Sequence, residues 1–108
     1  MGNLTKEQLQ KKIRLAAKDS RFVLLTKHAQ NRMRERFINF PMVLDVLRQG
    51  TLFEEPEPDI RYPGIKCQME RYVSGVNLAV IVNVQFPDHQ VVVVTVFETK
   101  RNQYVAIH

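Results

Sequence analysis

The sequence predicts an α+β fold in which N-terminal helices pack on a four-stranded antiparallel sheet. Two observations carry this expectation. Up to Gly50 the apolar residues recur at three-to-four spacing behind residues with N-cap chemistry, and beyond Gly50 the period drops to two while the β-branched fraction rises. The order, helices first and strands after, suits a layer of helices laid on one face of a meander.

The first helix spans about residues 4–19. Thr5 stands as its N-cap, and Leu9, Ile13, Ala16 and Ala17 form a thin apolar stripe. Lys6, Lys11, Lys12, Arg14 and Lys18 cover most of the remaining surface, so the expectation is a solvated terminal helix lying loosely on the domain. Phe22-Val23-Leu24-Leu25 is too short for a helix and reads as a brief strand or a packed linker. Thr26 caps the second helix, which ends near Phe37. Asn39 caps the third, with Pro41 in its first turn, Ile38 placed to staple onto Val43, and Gly50 as the C′ residue that stops it.

Four strands follow, at residues 51–55, 66–73, 76–84 and 91–97. They are separated by an acidic loop at 54–59, a turn at Tyr62-Pro63-Gly64, a hairpin turn at Ser74-Gly75 and another at Pro87-Asp88-His89. Lys100 to His108 is polar at first and ends in Tyr104-Val105-Ala106-Ile107, which reads as an extra edge strand or a tail. The whole is one domain of 108 residues: an accessory helix over 1–20, a core over 22–98 and a tail over 99–108.

Charge is unevenly spread. Residues 1–36 hold ten Lys or Arg and three acids, +7, whereas residues 37–108 hold six Lys or Arg and eight acids, −2. The cationic surface therefore belongs to the N-terminal helices, and a nucleic acid or an acidic protein is the partner it suits. The absence of a long apolar run and of Trp argues against a membrane, and the single Cys67 fits a reducing cytoplasm. His28, His89 and His108 show no ligand spacing and only four glycines are present, so neither a metal nor a phosphate-cradling cofactor loop is implied.

The run from Thr26 to Phe37 is the most informative segment. His28, Arg32 and Arg36 fall in register at i, i+4 and i+8, beside the apolar stripe Ala29, Met33 and Phe37. A cationic row that borders the core suggests a partly enclosed anion site, with phosphate as its guest. The bland alternatives are a His28 that closes the core and arginines paired with Glu35, Glu70 or Glu98. Lys66 and Arg71 read equally as exposed strand charges, and Cys67 as a buried, inert thiol.

His28-Ala29-x-x-Arg32-Met33-x-x-Arg36, followed by a helix ending in Gly50 and by Asp59-Ile60-Arg61-Tyr62-Pro63-Gly64-Ile65-Lys66-Cys67, resembles the domain-of-unknown-function 4258 family over about residues 25–97. That resemblance implies a RelE-like, toxin-like fold grouped with barnase-like ribonucleases, and a basic surface neutralised by an acidic antitoxin. Phe37 stands where the family would favour glycine. The helix motif marks His28, Arg32 and Arg36, and the strand motif marks Lys66. Likeness to RelE-type toxins, which place basic and Tyr side chains late in the chain, adds Lys100, Arg101 and Tyr104.

The resemblance and the helix register together imply two readings. In one the protein is a metal-independent endoribonuclease of a toxin–antitoxin pair, acting on RNA or ribosome-bound RNA. His28 is then base or acid, Arg32 and Arg36 clamp the phosphate, Lys66 or Arg71 supplies a further cation, and Thr95 orients a phosphate oxygen. In the other the same fold binds nucleic acid or an acidic protein without cleaving, with Arg34, Arg71, Thr95, Lys100 and Arg101 among the contacts. Dimerisation through the first helix is compatible with either.

Overall fold

The computed structural model describes residues 5–61, 63–85 and 90–100. Three helices, α1 (Lys6–Ala16), α2 (Lys27–Glu35) and α3 (Phe40–Gln49), each begin at the cap the sequence offers. Thr5 and Gln8 form a reciprocal capping box, the Thr26 hydroxyl accepts from the Ala29 N–H, and Asn39 accepts from the Met42 N–H. A short 3₁₀ turn at Ser20–Phe22 is capped by Asp19. The Arg21 guanidinium, 2.7 Å from that carboxylate, holds its pKa down at about 2. No helix of the described residues is long and apolar enough to cross a membrane.

Among the described residues the sheet has six strands and is mixed, which corrects the expected four-stranded antiparallel meander. β1 (Val23–Leu25), β2 (Thr51–Leu52), β4 (Ile65–Val73), β5 (Val76–Val84) and β6 (Val91–Glu98) run in the order β1-β6-β5-β4-β2, and β3 (Glu57–Pro58) pairs with β4 off that path. The four expected strands are present and antiparallel. What escapes local pattern is β1, whose three residues lie parallel to Val91–Val93 far along the chain. The first expected strand also stops early, at Leu52, and the next carbonyl, that of Phe53, accepts from the Lys6 ammonium at 3.1 Å. The expected turn at 87–89 and the tail strand at 104–107 fall outside the described residues.

Between β4 and β5 the chain turns in two residues, Ser74 and Gly75, both with positive φ, and Val73 pairs directly with Val76. One face of the sheet carries Cys67, Met69, Val73, Leu78, Val80, Val82, Val84, Val91, Val93 and Val96, all in the core beneath the helices. The other face carries Lys66, Gln68, Glu70, Ile81 and Thr95, in register across three strands. A bulge interrupts β6: Val82 pairs with Val93 but Ile81 pairs with Thr95, leaving Val94 as the extra residue.

The first helix is no loose appendage. Leu9, Ile13 and Ala17 are fully buried, and the polar side chains at i, i+4 and i+8 reach the corner where α3 passes into β2. Lys6 holds the Phe53 carbonyl, Gln10 accepts from the Leu52 N–H at 2.8 Å, and Arg14 donates to the Gly50 carbonyl at 2.6 and 3.0 Å and to Gln49 at 3.3 Å. In return Arg48 of α3 donates to the Ala17 carbonyl at 2.6 Å, so the C-termini of α1 and α3 cap each other. Gly50 ends α3 as expected, but through close approach and not through a left-handed turn. Its φ is −77°, and a Cβ would stand 2.3 Å from the Val46 carbonyl oxygen and 2.8 Å from that of Glu70.

The end of α2 does use the left-handed turn. The Ile38 N–H donates to the Met33 carbonyl at 2.8 Å and the Phe37 N–H to that of Arg34 at 3.4 Å, while Met33 and Ile38 are both buried. This is a Schellman motif. Its C′ position, normally glycine, is Phe37 at φ +58° with the ring 91% exposed.

Replacing Arg14 with Met should lower unfolding free energy by about 2 kcal/mol, since it strips charged donors from buried-edge carbonyls. Lys11→Ala, at an exposed site on the same helix, should change it by less than about 0.5 kcal/mol in the same urea titration. Phe37→Gly should raise stability by about 1 kcal/mol, because an L side chain in the left-handed region costs on that order and this one is not repaid by burial. A lower melting temperature for that variant would show that the ring has stabilising contacts.

Candidate nucleic-acid interface

The cationic row of α2 is built by three local facts. Thr26 starts the helix, the buried pair Ala29 and Met33 turns one stripe to the core, and His28, Arg32 and Arg36 then line the border of that stripe. His28 and Arg36 are exposed, as is Arg34, whose guanidinium donates to Asn31 Oδ1. The row is therefore an open surface where the register suggested a partly enclosed site.

Arg32 differs from its neighbours. Its side chain is 38% exposed and among the described residues makes one ion pair, Nη1 to Glu35 Oε1 at 3.4 Å, with an exposed carboxylate one turn away. Its Nε–H is buried and has no partner among the described residues. A half-buried guanidinium with donors to spare and one weak acceptor favours an incoming anion. The pairing with Glu35 is one of the bland alternatives read from the sequence, and it is present, but at a length that leaves most of the fork unused.

The remaining sequence candidates lie elsewhere. Lys66 projects from the sheet face away from the helices and pairs with Glu57 at 3.2 Å. Thr95 shares that face, opposite Ile81. Arg71 lies on the helix-covered side, where it meets Asp45 of α3 at 3.2 Å. Lys100 is exposed just after β6, and Arg101 falls outside the described residues. The structure thus brings His28, Arg32 and Arg36 together and leaves Lys66 and Thr95 across the sheet from them.

That open face is acidic, which the sequence reading missed. Glu54, Glu55, Glu57, Lys66, Gln68 and Ile81 line a groove of about 500 Å³, and nearby Glu70, only 4% exposed, accepts from Gln68 Nε2 at 3.0 Å. The signal was available: the 54–59 loop precedes a strand whose even positions are Lys66, Gln68 and Glu70.

Much of the strand motif builds a loop. Asn83, buried on β5, donates from Nδ2 to Asp59 Oδ2 at 2.9 Å, and Asp59 Oδ1 accepts from the Arg61 N–H at 2.9 Å. Gly64, at φ +119°, allows its backbone within reach of Asn83, whose Oδ1 would lie 2.5 Å from an added Cβ. Cys67 faces the core, where burial pushes its thiol up to about 12, so it stays protonated and unreactive. Among the described residues no three His, Cys, Asp or Glu side chains gather to hold a metal ion.

Among curated proteins and among solved structures nothing matches this chain. A family model does, over residues 25–98, and its description is a domain of unknown function. The matched span runs from the last residue of β1 to the end of β6 and excludes α1. It contains both the α2 row and the loop anchored by Asn83, and on that match over more than half its length the chain belongs to the DUF4258 family.

Proposed function

We propose that this protein binds RNA through the cationic row of α2, on a RelE-like arrangement of helices over a sheet, and that it does so as a binding module. The observation that carries the proposal is Arg32, a half-buried guanidinium whose Nε–H has no partner among the described residues, standing between His28 and Arg36. The charge distribution supports it, since residues 1–36 carry +7 while the open sheet face opposite is acidic. Phosphate would meet attraction on the helix side and repulsion on the other, which orients the ligand. An acidic protein partner of antitoxin type would compete for the same row.

The placement of Lys66 is what favours binding over cleavage. An endoribonuclease needs a group to take the 2′-OH proton, one to protonate the leaving 5′ oxygen, and cations around the phosphorane. With Lys66 and Thr95 across the sheet, α2 would have to supply all of these from His28, Arg32 and Arg36. The exposure of His28 in line with Arg32 keeps that second reading specific: cleavage of labelled RNA in EDTA by the native protein, lost in His28→Ala, would establish it in place of simple binding.

For the binding module, affinity for a 12-nucleotide RNA should fall with salt, with a log–log slope near −2 if about three cations meet phosphates at roughly 0.7 each. Arg32→Ala should weaken binding about tenfold and flatten the slope by roughly 0.7. Arg71→Ala, whose charge is engaged by Asp45, should bind like the native protein. A slope near zero, or equal losses from Arg32 and Arg71 substitutions, would overturn the assignment.

A further inference from the structure

Phe37 is costly where it stands. It occupies the C′ position of a Schellman motif at φ +58°, a conformation glycine adopts freely and an L side chain does not. Its ring is 91% exposed, so burial returns nothing. A bulky residue in the left-handed region is uncommon enough to ask what the side chain itself provides.

Its setting answers in chemical terms. Arg36 immediately precedes it, Arg34 accepts its N–H through the backbone carbonyl, and Arg32 lies a turn further back. The ring is also presented rigidly. The two Schellman hydrogen bonds fix its backbone, the buried Met33–Ile38 pair fixes the residue after it, and Asn39 opens α3 directly beyond. Only two side-chain torsions remain to be frozen on binding, which keeps the entropic cost of using the ring low.

Aromatic rings beside a cationic track are the means by which proteins hold unpaired bases, because every base has a π-face to stack while its phosphate meets the cations. A base-paired helix has no such face to offer. Resting on the reading of α2 as an RNA-binding row, we infer that the ligand is single-stranded or looped RNA and that Phe37 is the platform on which one unpaired base stacks.

The chain contains no tryptophan, so Phe37→Trp places a lone indole at the platform. Two probes of matched charge, a 24-nucleotide oligouridine and a blunt-ended 12-base-pair RNA duplex, would be titrated against native protein, Phe37→Trp and Phe37→Gly, with thermal melts confirming that all three are folded. Oligouridine should quench the indole on binding and the duplex should not. Phe37→Gly should lose about tenfold in affinity for oligouridine and less than twofold for the duplex, while Phe37→Trp retains the preference. If Phe37→Gly binds oligouridine like the native protein, the stacking role falls and the cationic row stands. If it loses both probes equally, the ring is not reading unpaired bases. If native protein binds neither probe, the RNA reading and this inference fall together.

Discussion

The position of α2 depends on one hydroxyl. Thr26 accepts from the Ala29 N–H as the helix cap, and the same Oγ donates to the Val94 carbonyl at 3.0 Å while the Thr26 N–H donates to Val93 at 3.1 Å. Val94 is the extra residue of the β6 bulge. The helix start is thus bonded to the sheet at the residue where the ladder is irregular. Parallel pairing of β1 with Val91–Val93 delivers Thr26 to that point. Every cation of the row inherits its place from this junction, since the helical repeat fixes His28, Arg32 and Arg36 once Thr26 and the buried Ala29 are set.

A sheet covered on one side forces a division of chemistry. Helices screen the apolar face, and the alternating side chains of β4 and β5 must put their polar members on the other. Here those members are mostly acidic or amide, and the loop at 54–59 adds further carboxylates. The result is a molecule with cations on its helical layer and carboxylates on its open sheet. Lys66 belongs to the second population, where Glu57 engages it, and Arg71 belongs to the helix side, where Asp45 engages it.

Local chemistry made most of the elements legible. Thr5, Thr26 and Asn39 each announce a helix through their side-chain oxygens, and Ser74-Gly75 announces a two-residue turn through its need for positive φ. What stayed hidden is non-local. Nothing in Val23-Leu24-Leu25 reveals that its partner is β6, and nothing in the polar face of α1 reveals that Lys6, Gln10 and Arg14 reach the backbone at 49–53. The separation of Lys66 from Arg71 was legible in principle. Residues five apart on a regular strand have opposite parity, so they cannot share a face, whatever the tertiary arrangement.

The two ends of α2 are determined in different ways, and the difference bears on what the helix is for. At Thr26 every group has a partner and each contact favours the fold. At Phe37 the backbone is equally fixed, by hydrogen bonds to Arg34 and Met33 and by the buried Ile38, yet the residue that sits there is poorly suited to the conformation. Strain of this kind persists only where the surroundings over-determine the geometry, and they do so here independently of the ring. Ring and turn are therefore separable: the turn would keep its shape with glycine in place. The side chain contributes to the surface beside Arg34 and Arg36 and not to the stability of the helix that carries it.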